Sequence, residues 1–432
     1  MAKQFSVSEK IPWKARFFTI WGGQALSIVG SQLVQFALIW HLTVATGSST
    51  VLATASLVGM LPGVILGPIV GTMVDRWNRR WIMVAADSIV ALATIALAIL
   101  FALDAVAIWH IYLVMFIRSL AGCFHSNAMS ASTSLMVPVE HLTRIQGVNQ
   151  MLNGGLNVVS APLGALLLGV LPIQGILAID VVTALFAILP LCLMQIPQPE
   201  RREPHAAQGE TQATVWQDFR AGFRCLLGWP GLLIVGLMTV GINFTIIPAF
   251  SLLPLLVKDY FGGNAIHLAW VESAMGVGMI AGGALLGIWG GFERKILTSM
   301  LGLMGMGAGA LILALAPAAA MPLAVGGALL VGFMSPLTMG PFFAVIQSTV
   351  EPDMQARILS LLSSVGGAMA PIGLLVAGPV ADKIGIQAWF LLGGSLCVLL
   401  AVTGLFIPAV MNIEDKCSAA LDQLSLGSEP AL

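Results

Sequence analysis

The chain has 432 residues, of which 58% are hydrophobic and only 9% are charged. Soluble proteins carry about 25% charged residues, so this composition excludes a protein surrounded by water and indicates a polytopic membrane protein. The formal net charge of −1 excludes nucleic acid as a partner, because a nucleic-acid interface needs a basic face.

Twelve apolar stretches are long enough to cross a membrane, which takes about 20 residues. We predict an all-α membrane protein in which these twelve transmembrane helices form two six-helix bundles. The predicted spans lie near residues 17–45, 50–74, 81–103, 107–135, 143–171, 175–195, 230–257, 265–290, 296–317, 321–349, 357–380 and 386–410.

The distribution of lysine and arginine predicts the orientation. Short loops rich in these residues stay on the cytoplasmic side of a membrane. If both termini and the loop around Asp75 are cytoplasmic, all of the 19 Lys and Arg are inside except Arg118, Lys258 and Lys383. We therefore expect a multi-pass membrane protein with both termini in the cytoplasm.

A polar interval separates the sixth span from the seventh. It begins with prolines and charged residues, and it continues with Val215, Phe219 and Phe223 at helical spacing. This pattern predicts a linker with an amphipathic helix at the membrane interface; a regulatory module is the less favoured interpretation. The predicted organisation is an N-terminal bundle 1–195, a linker 196–229, a C-terminal bundle 230–410 and a cytoplasmic tail 411–432.

The two halves of the chain repeat. The run Ala161-Pro162-Leu163-Gly164 recurs 209 positions later as Ala370-Pro371-Ile372-Gly373. Parallel six-helix repeats are how many transporters build two bundles around a central site. We predict that Pro162 and Pro371 bend the helices that contain them.

Glycines recur every fourth residue in spans two and eight. This spacing lets two helix backbones approach each other closely, so we predict tight helix packing there. The glycines are Gly63, Gly67, Gly71, Gly283 and Gly287.

Charged residues inside the spans are the sharpest functional signal, because each is costly to bury in a bilayer. A proton-coupled transporter needs a carboxylate that binds and releases a proton, and burial among apolar groups favours such behaviour. We predict that Glu272 or Asp180 does so, with Arg118 taking part. The alternative is a static pair with Arg118 or with backbone donors. Asp87 is predicted instead to join a charge network with Asp75 and the nearby arginines.

Polar and aromatic side chains in the spans are candidates for a substrate cavity. Such a mixture suits a large amphipathic ligand, and hydrogen bonding between helices is an equally good use of the polar members. The candidates are Gln24, Gln35, Asn153, Asn157, Phe36 and Phe244.

The turn between spans two and three reads Gly71-Thr-Met-Val-Asp75-Arg76-Trp-Asn-Arg79-Arg80. This G-x-x-x-D-R-x-x-R-R pattern resembles the signature loop of the major facilitator superfamily. Runs that begin at Thr19, Gly67, Phe116 and Ala178 resemble the macrolide-efflux branch of its drug:proton antiporters. The resemblance covers nearly the whole chain.

The resemblance implies roles for particular residues. Family members use the loop to latch their halves together in the outward-open state, and Asp75 is placed to cap a helix of the second half. Arg118 begins an R-x-x-x-G run that resembles part of the fourth-helix motif, whose arginine is tied to proton transfer. The fifth-helix antiporter motif is incomplete, because Ala161 stands where the family has glycine. The predicted gating residues are Gly71, Asp75, Arg76, Arg79, Arg80 and Asp87.

The resemblance therefore predicts a proton-coupled exporter of lipophilic drugs in a bacterial inner membrane, with macrolide-like cargo favoured. An exporter of a siderophore or a lipid-like metabolite is the main alternative, and a non-transporting receptor or a membrane enzyme is less favoured. The sequence lacks the patterns H-E-x-x-H, G-x-S-x-G and G-x-x-x-x-G-K-[ST], which argues against an enzyme and against ATP as the energy source. Five scattered cysteines predict neither a disulfide framework nor a metal site. The expected partners are a small lipophilic substrate, protons and membrane lipids; we expect a monomer without cofactor, metal or catalytic residues.

Overall fold

The structure is a computed structural model that describes residues 12–194, 196, 229–349 and 352–414. These ranges contain twelve helices that are long and apolar enough to cross a membrane, and no strand. The predicted all-α fold with twelve transmembrane helices is confirmed. The helices are α1 Trp13–Thr46, α2 Ser49–Arg76, α3 Arg79–Ala102, α4 Ile108–Met136, α5 Val139–Val170, α6 Ile173–Leu193, α7 Pro230–Ser251, α8 Ala265–Trp289, α9 Lys295–Leu315, α10 Met321–Thr349, α11 Pro352–Ile384 and α12 Ile386–Phe406.

Local sequence explains several helix ends. Gly47 adopts φ 59° and ends α1, because its left-handed conformation is one that glycine tolerates best. The Asn78 side chain caps α3 by accepting from the backbone N–H groups of Arg80 and Trp81. Pro230 begins α7 at a position where its missing N–H costs nothing.

Two predicted spans are shorter in the structure by several residues. The span predicted at 230–257 ends at Ser251 and continues as a short turn, Leu253–Leu255, and a π-helical turn, Leu256–Tyr260. The last span ends at Phe406 and is followed by a one-turn helix, Pro408–Met411. The predicted linker helix and most of the predicted tail lie outside the described residues.

The chain divides into two compact units. Unit 1 comprises Met1–Gly47, Thr54–Ala206 and Gly263–Ala269, and unit 2 comprises Ser48–Ala53, Ala207–Gly262 and Trp270–Leu432. The first turn of α2 therefore belongs to unit 2, and the rest of that helix belongs to unit 1.

The same helix pairings occur in both units. In unit 1, α1 packs against α5 and α6, and α3 packs against α4 and α6. In unit 2, α7 packs against α11 and α12, and α9 packs against α10 and α12. Each pairing recurs six helices later, so the repeat seen in the sequence extends to the packing.

Glycines allow the closest helix contacts of unit 2. A Cβ atom on Gly282 would collide with the Phe333 carbonyl oxygen, and one on Gly332 would collide with the Met275 carbonyl oxygen. Helices α8 and α10 therefore touch backbone to backbone. Only glycine permits this approach.

The glycines singled out in the sequence behave differently. Among the described residues no heavy atom lies within 4 Å of the place where a Cβ atom would sit on them. The predicted close packing at these positions is therefore wrong for this conformation, because spacing permits an approach without requiring one. They are Gly63, Gly67, Gly71, Gly283 and Gly287.

Candidate functional site

A buried ion pair lies at the centre of unit 1. Arg118 on α4 donates from Nη1 to Asp180 Oδ2 on α6 at 2.6 Å. The same Nη1 donates to Thr94 Oγ1 at 2.9 Å, and Nη2 donates to the Ser31 carbonyl at 3.3 Å. Asp180 also accepts from the Ser31 and Thr94 hydroxyls at 3.1 and 3.2 Å. The carboxylate is thus fully hydrogen-bonded, as a buried charge must be.

A close helix approach places Ser31 beside Asp180. Gly30 precedes Ser31 on α1, and a Cβ atom there would collide with Thr183 Oγ1 on α6. Because Gly30 has no side chain, α1 comes near enough for the Ser31 hydroxyl to reach the carboxylate. The sequence left open whether Asp180 pairs with Arg118, and the structure has that pair.

Asp87 contacts residues that the sequence analysis did not assign to it. Its Oδ2 accepts from Gln24 Nε2 on α1 at 3.0 Å, and its Oδ1 lies 3.6 Å from His125 Nε2 on α4. The predicted network of Asp87 with the loop arginines is therefore wrong, because eight residues of helix place Asp87 about 12 Å beyond Arg79. Gln24, predicted to line a cavity, is 3% exposed and is occupied with Asp87.

The two arginines at the start of α3, Arg79 and Arg80, hydrogen-bond to neighbouring helices of unit 1. Arg79 is buried and donates to the Ala131 carbonyl on α4 at 2.8 Å. Arg80 donates to the Leu191 carbonyl at 2.5 Å and also to the Cys192 carbonyl. These last two carbonyls end α6, where a cation is favoured by the free acceptors and the helix dipole.

The other gating candidates make fewer contacts in the described part of the chain. Arg76 is exposed at the end of α2, and Gly71 faces open space. The Asp75 side chain lies outside the described residues, so its predicted capping role stays a prediction.

The predicted cavity residues fall into two groups. Gln35, Asn153 and Asn157 are exposed on α1 and α5, and their role in a cavity stays a prediction. Phe36 is 8% exposed and packs so closely on Gly164 that a Cβ atom there would lie 2.7 Å from its ring. Its predicted role as a cavity wall is therefore wrong in this conformation, because the sequence does not reveal which face of α1 meets α5.

Phe244 and Glu272 belong to unit 2. Phe244 is half-buried, and its ring centre lies 6.2 Å from that of Trp389. Glu272 is half-buried on α8. Among the described residues, none donates a hydrogen bond to its carboxylate or forms an ion pair with it. In this respect Glu272 differs from Asp180, whose charge is balanced.

A family model now identifies the chain. The model of the Major Facilitator Superfamily matches residues 20–374. The chain belongs to the major facilitator superfamily. It is therefore a membrane transporter and not an enzyme, as the sequence predicted.

Curated relatives place this transporter beside efflux proteins. Macrolide efflux protein A of Streptococcus pyogenes is 35% identical over 404 residues, which cover 94% of this chain and 98% of that protein. Multidrug efflux pump Tap of Mycolicibacterium fortuitum is 24% identical over 401 residues, which cover 89% of this chain and 94% of that protein. The predicted resemblance to macrolide-efflux proteins is confirmed.

A solved structure with the same fold is that of a mutant of the nucleoside transporter NupG. It matches with a TM-score of 0.69 at 13% identity, over 90% of this chain and 98% of that one. At this identity the match shows the major-facilitator fold alone.

The transporter has an apolar surface groove of about 580 Å³ between α3 and α4. This volume is within the range of small-molecule sites, about 300–1,000 Å³. None of the predicted cavity residues lines it. The spacing of apolar and polar residues along the sequence did not indicate it either. Its aromatic walls are Trp77, Trp81, Phe116 and Phe124.

The transporter also has an acidic cap that the sequence analysis missed. Asp382 near the end of α11 accepts from the Ser49 N–H at 2.6 Å and from the Thr50 hydroxyl at 2.6 Å. The Thr50 N–H and the Ser48 hydroxyl donate to it at 3.1 Å. Asp382 thus caps the first turn of α2, within unit 2. Ser48 to Thr50 signal a helix start, whereas a partner 332 positions away leaves no local signal.

Both predicted bending prolines lie inside helices of this transporter. Pro162 falls within α5 and Pro371 within α11, and each helix continues past its proline. A proline removes one backbone hydrogen bond from a helix. Their bending role stays a prediction.

Proposed function

We propose that this transporter exports lipophilic, macrolide-like compounds in exchange for protons. The observation that carries the cargo class is the end-to-end match with Macrolide efflux protein A, at 35% identity over 98% of that protein. The second relative, named a multidrug efflux pump, supports a lipophilic cargo class.

Glu272 supports the proton coupling. It lies inside an apolar helix with no partner among the described residues, so it can bind and release a proton without breaking an ion pair. Asp180 with Arg118 is the second candidate, since protonation of Asp180 would free Arg118 from its 2.6 Å contact. If the proton and the cargo compete for binding to the transporter, the export of cargo is coupled to the entry of protons.

Alternating access supplies the transport cycle in this proposal. The loop from Gly71 to Arg80 is the gate, and Pro162 and Pro371 give α5 and α11 the freedom to bend. The distribution of Lys and Arg supports an orientation with both termini in the cytoplasm, and the family match with its bacterial efflux relatives supports a protein of the inner membrane. A monomer without a cofactor is sufficient for this mechanism.

A siderophore or a lipid-like metabolite is the alternative cargo. An anionic siderophore calls for cationic side chains in the spans, and Arg118 is the one Lys or Arg lying mid-span in the described ranges. Its charge is matched by Asp180. This balance favours a lipophilic cargo over an anionic one.

The first test measures cargo in living cells. Cells that express the transporter should accumulate less labelled macrolide than cells with an empty vector, and a protonophore should abolish the difference. The same comparison with a labelled siderophore should show none. Equal macrolide accumulation in both strains, with the protein present in the membrane, would refute the cargo assignment.

A further inference from the structure

Polar residues of unit 1 lie in two layers separated by seven positions on each of three helices. Seven residues of α-helix rise about 10 Å and return to nearly the same face. The loop-side layer consists of Gln24 on α1, Asp87 on α3 and His125 on α4. The inner layer consists of Ser31 on α1, Thr94 on α3 and Arg118 on α4, with Asp180 added from α6.

Both layers pair one carboxylate with one base. In the inner layer the base is Arg118, which keeps its charge at every physiological pH and therefore pairs with Asp180 whenever that carboxylate is ionised. In the loop-side layer the base is His125, and an imidazole, unlike a guanidinium, can be either neutral or protonated in a protein. The contact of Asp87 with His125 therefore depends on whether a proton is present.

Charge balance indicates how many protons the layers hold. The two carboxylates carry two negative charges, and Arg118 supplies one positive charge. The remaining charge is balanced when one proton resides on Asp87 or on His125. An unbalanced charge inside a membrane protein is costly, so the four groups together favour binding of that proton.

The geometry of the loop-side layer fits a shared proton. His125 Nε2 is buried and makes no hydrogen bond within the described residues, and it lies 3.6 Å from Asp87 Oδ1. A hydrogen bond requires only a small approach of the two side chains. Gln24 holds the other carboxylate oxygen at 3.0 Å, which fixes the carboxylate toward His125.

The two carboxylates differ in exposure. The Asp87 side chain is 12% exposed beside His125 at 16%, whereas the Asp180 side chain is 2% exposed beside Arg118 at 10%. The Asp87 carboxylate is therefore less enclosed than the Asp180 carboxylate. Of the two layers, only the loop-side layer pairs its carboxylate with a base that can also be neutral.

We propose that Asp87 and His125 form a proton-binding site of unit 1, which holds one shared proton and is oriented by Gln24. The described residues contain no group of three or more His, Cys, Asp or Glu side chains that could hold a metal ion. It adds to Glu272, which belongs to unit 2, and its role in transport rests on the proposed proton-coupled export.

The charged surroundings of the site come from the helices packed on α3. Helix α4 contributes His125 and Arg118, and α6 contributes Asp180. Helix α1 contributes the neutral Gln24; its His41 contacts Phe101, about 20 Å from Asp87 along α3. On α3 itself, the two arginines at its start donate to carbonyl groups of α4 and α6.

A titration without cargo tests the site directly. Purified protein with isotope-labelled histidine is titrated by NMR, and the His125 signal is the one that disappears in His125→Gln. Asp87→Asn should displace the midpoint measured for His125, because the variant removes a carboxylate oxygen that lies 3.6 Å from its Nε2. Asp104→Asn, in an exposed loop, is the control and should leave it unchanged.

An unchanged midpoint in Asp87→Asn would overturn the proposal. If that variant does not fold, Gln24→Leu keeps the carboxylate, removes the donor that orients it and should also displace the midpoint. An unchanged midpoint there would count equally against the site. Since no cargo is present, neither outcome depends on the export function.

A transport assay tests what the site does. In proteoliposomes, Asp87→Asn and His125→Gln should still exchange labelled for unlabelled macrolide at equal pH, because exchange moves no net protons. Both should lose accumulation driven by a pH gradient. Equal loss of the two activities would indicate a structural role and overturn the proposal, whereas failure of wild-type protein in both assays would refute the proposed export instead.

Discussion

The Arg118 guanidinium on α4 contacts the Asp180 carboxylate on α6 at 2.6 Å, and the two side chains are only 10% and 2% exposed. Breaking such a pair leaves one charge buried without compensation, whereas removing both charges leaves none. Removing one partner should therefore destabilise the protein much more than removing one partner of a surface ion pair would.

We expect Arg118→Gln and Asp180→Asn each to destabilise the protein by about 3–5 kcal/mol, the usual cost of breaking a buried pair. The double variant should be more stable than either single one. Thermal unfolding in detergent measures this. A double variant whose loss equals the sum of the single losses would contradict the account.

Glu272 is expected to act in transport rather than in folding. Glu272→Gln removes the proton-binding group and keeps the side-chain shape, so gradient-driven macrolide export should be lost while the protein level in the membrane stays normal. Asp259→Asn, an exposed acid 3.0 Å from Lys258, is the control. If Glu272→Gln and Asp180→Asn both export at the full rate, the acids assigned to proton coupling are the wrong ones.

Asp382 is expected to stabilise the start of α2. Asp382→Ala removes the acceptor of the Ser49 and Thr50 N–H groups, and loss of a helix cap costs about 0.5–2 kcal/mol. The melting temperature should therefore fall. Lys383→Ala changes the exposed neighbouring residue and should leave it unchanged; an equal effect of both substitutions would argue against the cap.

The contact of α8 with α10 depends on Gly332. Gly332→Ala places a methyl group against the Met275 carbonyl oxygen, and such overpacking costs about 1–3 kcal/mol. Gly326→Ala adds the same methyl group to the same helix where no heavy atom lies within 4 Å. Thermal unfolding should distinguish the two variants. Equal melting temperatures would show that α8 and α10 are not in backbone contact.

The helices could be predicted from the sequence because a membrane span depends on local apolar length. The predicted and observed α10 both cover residues 321–349, and most other helix ends differ by only a few residues. Errors occur where apolar sequence continues beyond the helix, as after Ser251. The family was predictable too, since its signature loop lies in one short turn.

The partners of the buried polar residues were harder to predict. Asp87, Gln24 and His125 come from three helices, and their contacts depend on how those helices are rotated against one another. The seven-residue spacing that separates them from Thr94, Ser31 and Arg118 was present in the sequence. It becomes informative only when α1, α3 and α4 are known to be neighbours.

The most direct test of the proposed export uses inside-out membrane vesicles with an acidic interior and a pH indicator inside. Adding a macrolide should raise the internal pH in vesicles that contain the transporter and leave vector-only vesicles unchanged, because drug entering the vesicle is exchanged for protons leaving it. An unchanged internal pH across a panel of macrolides and other lipophilic drugs, with the gradient shown to be intact, would contradict proton-coupled export of this cargo class.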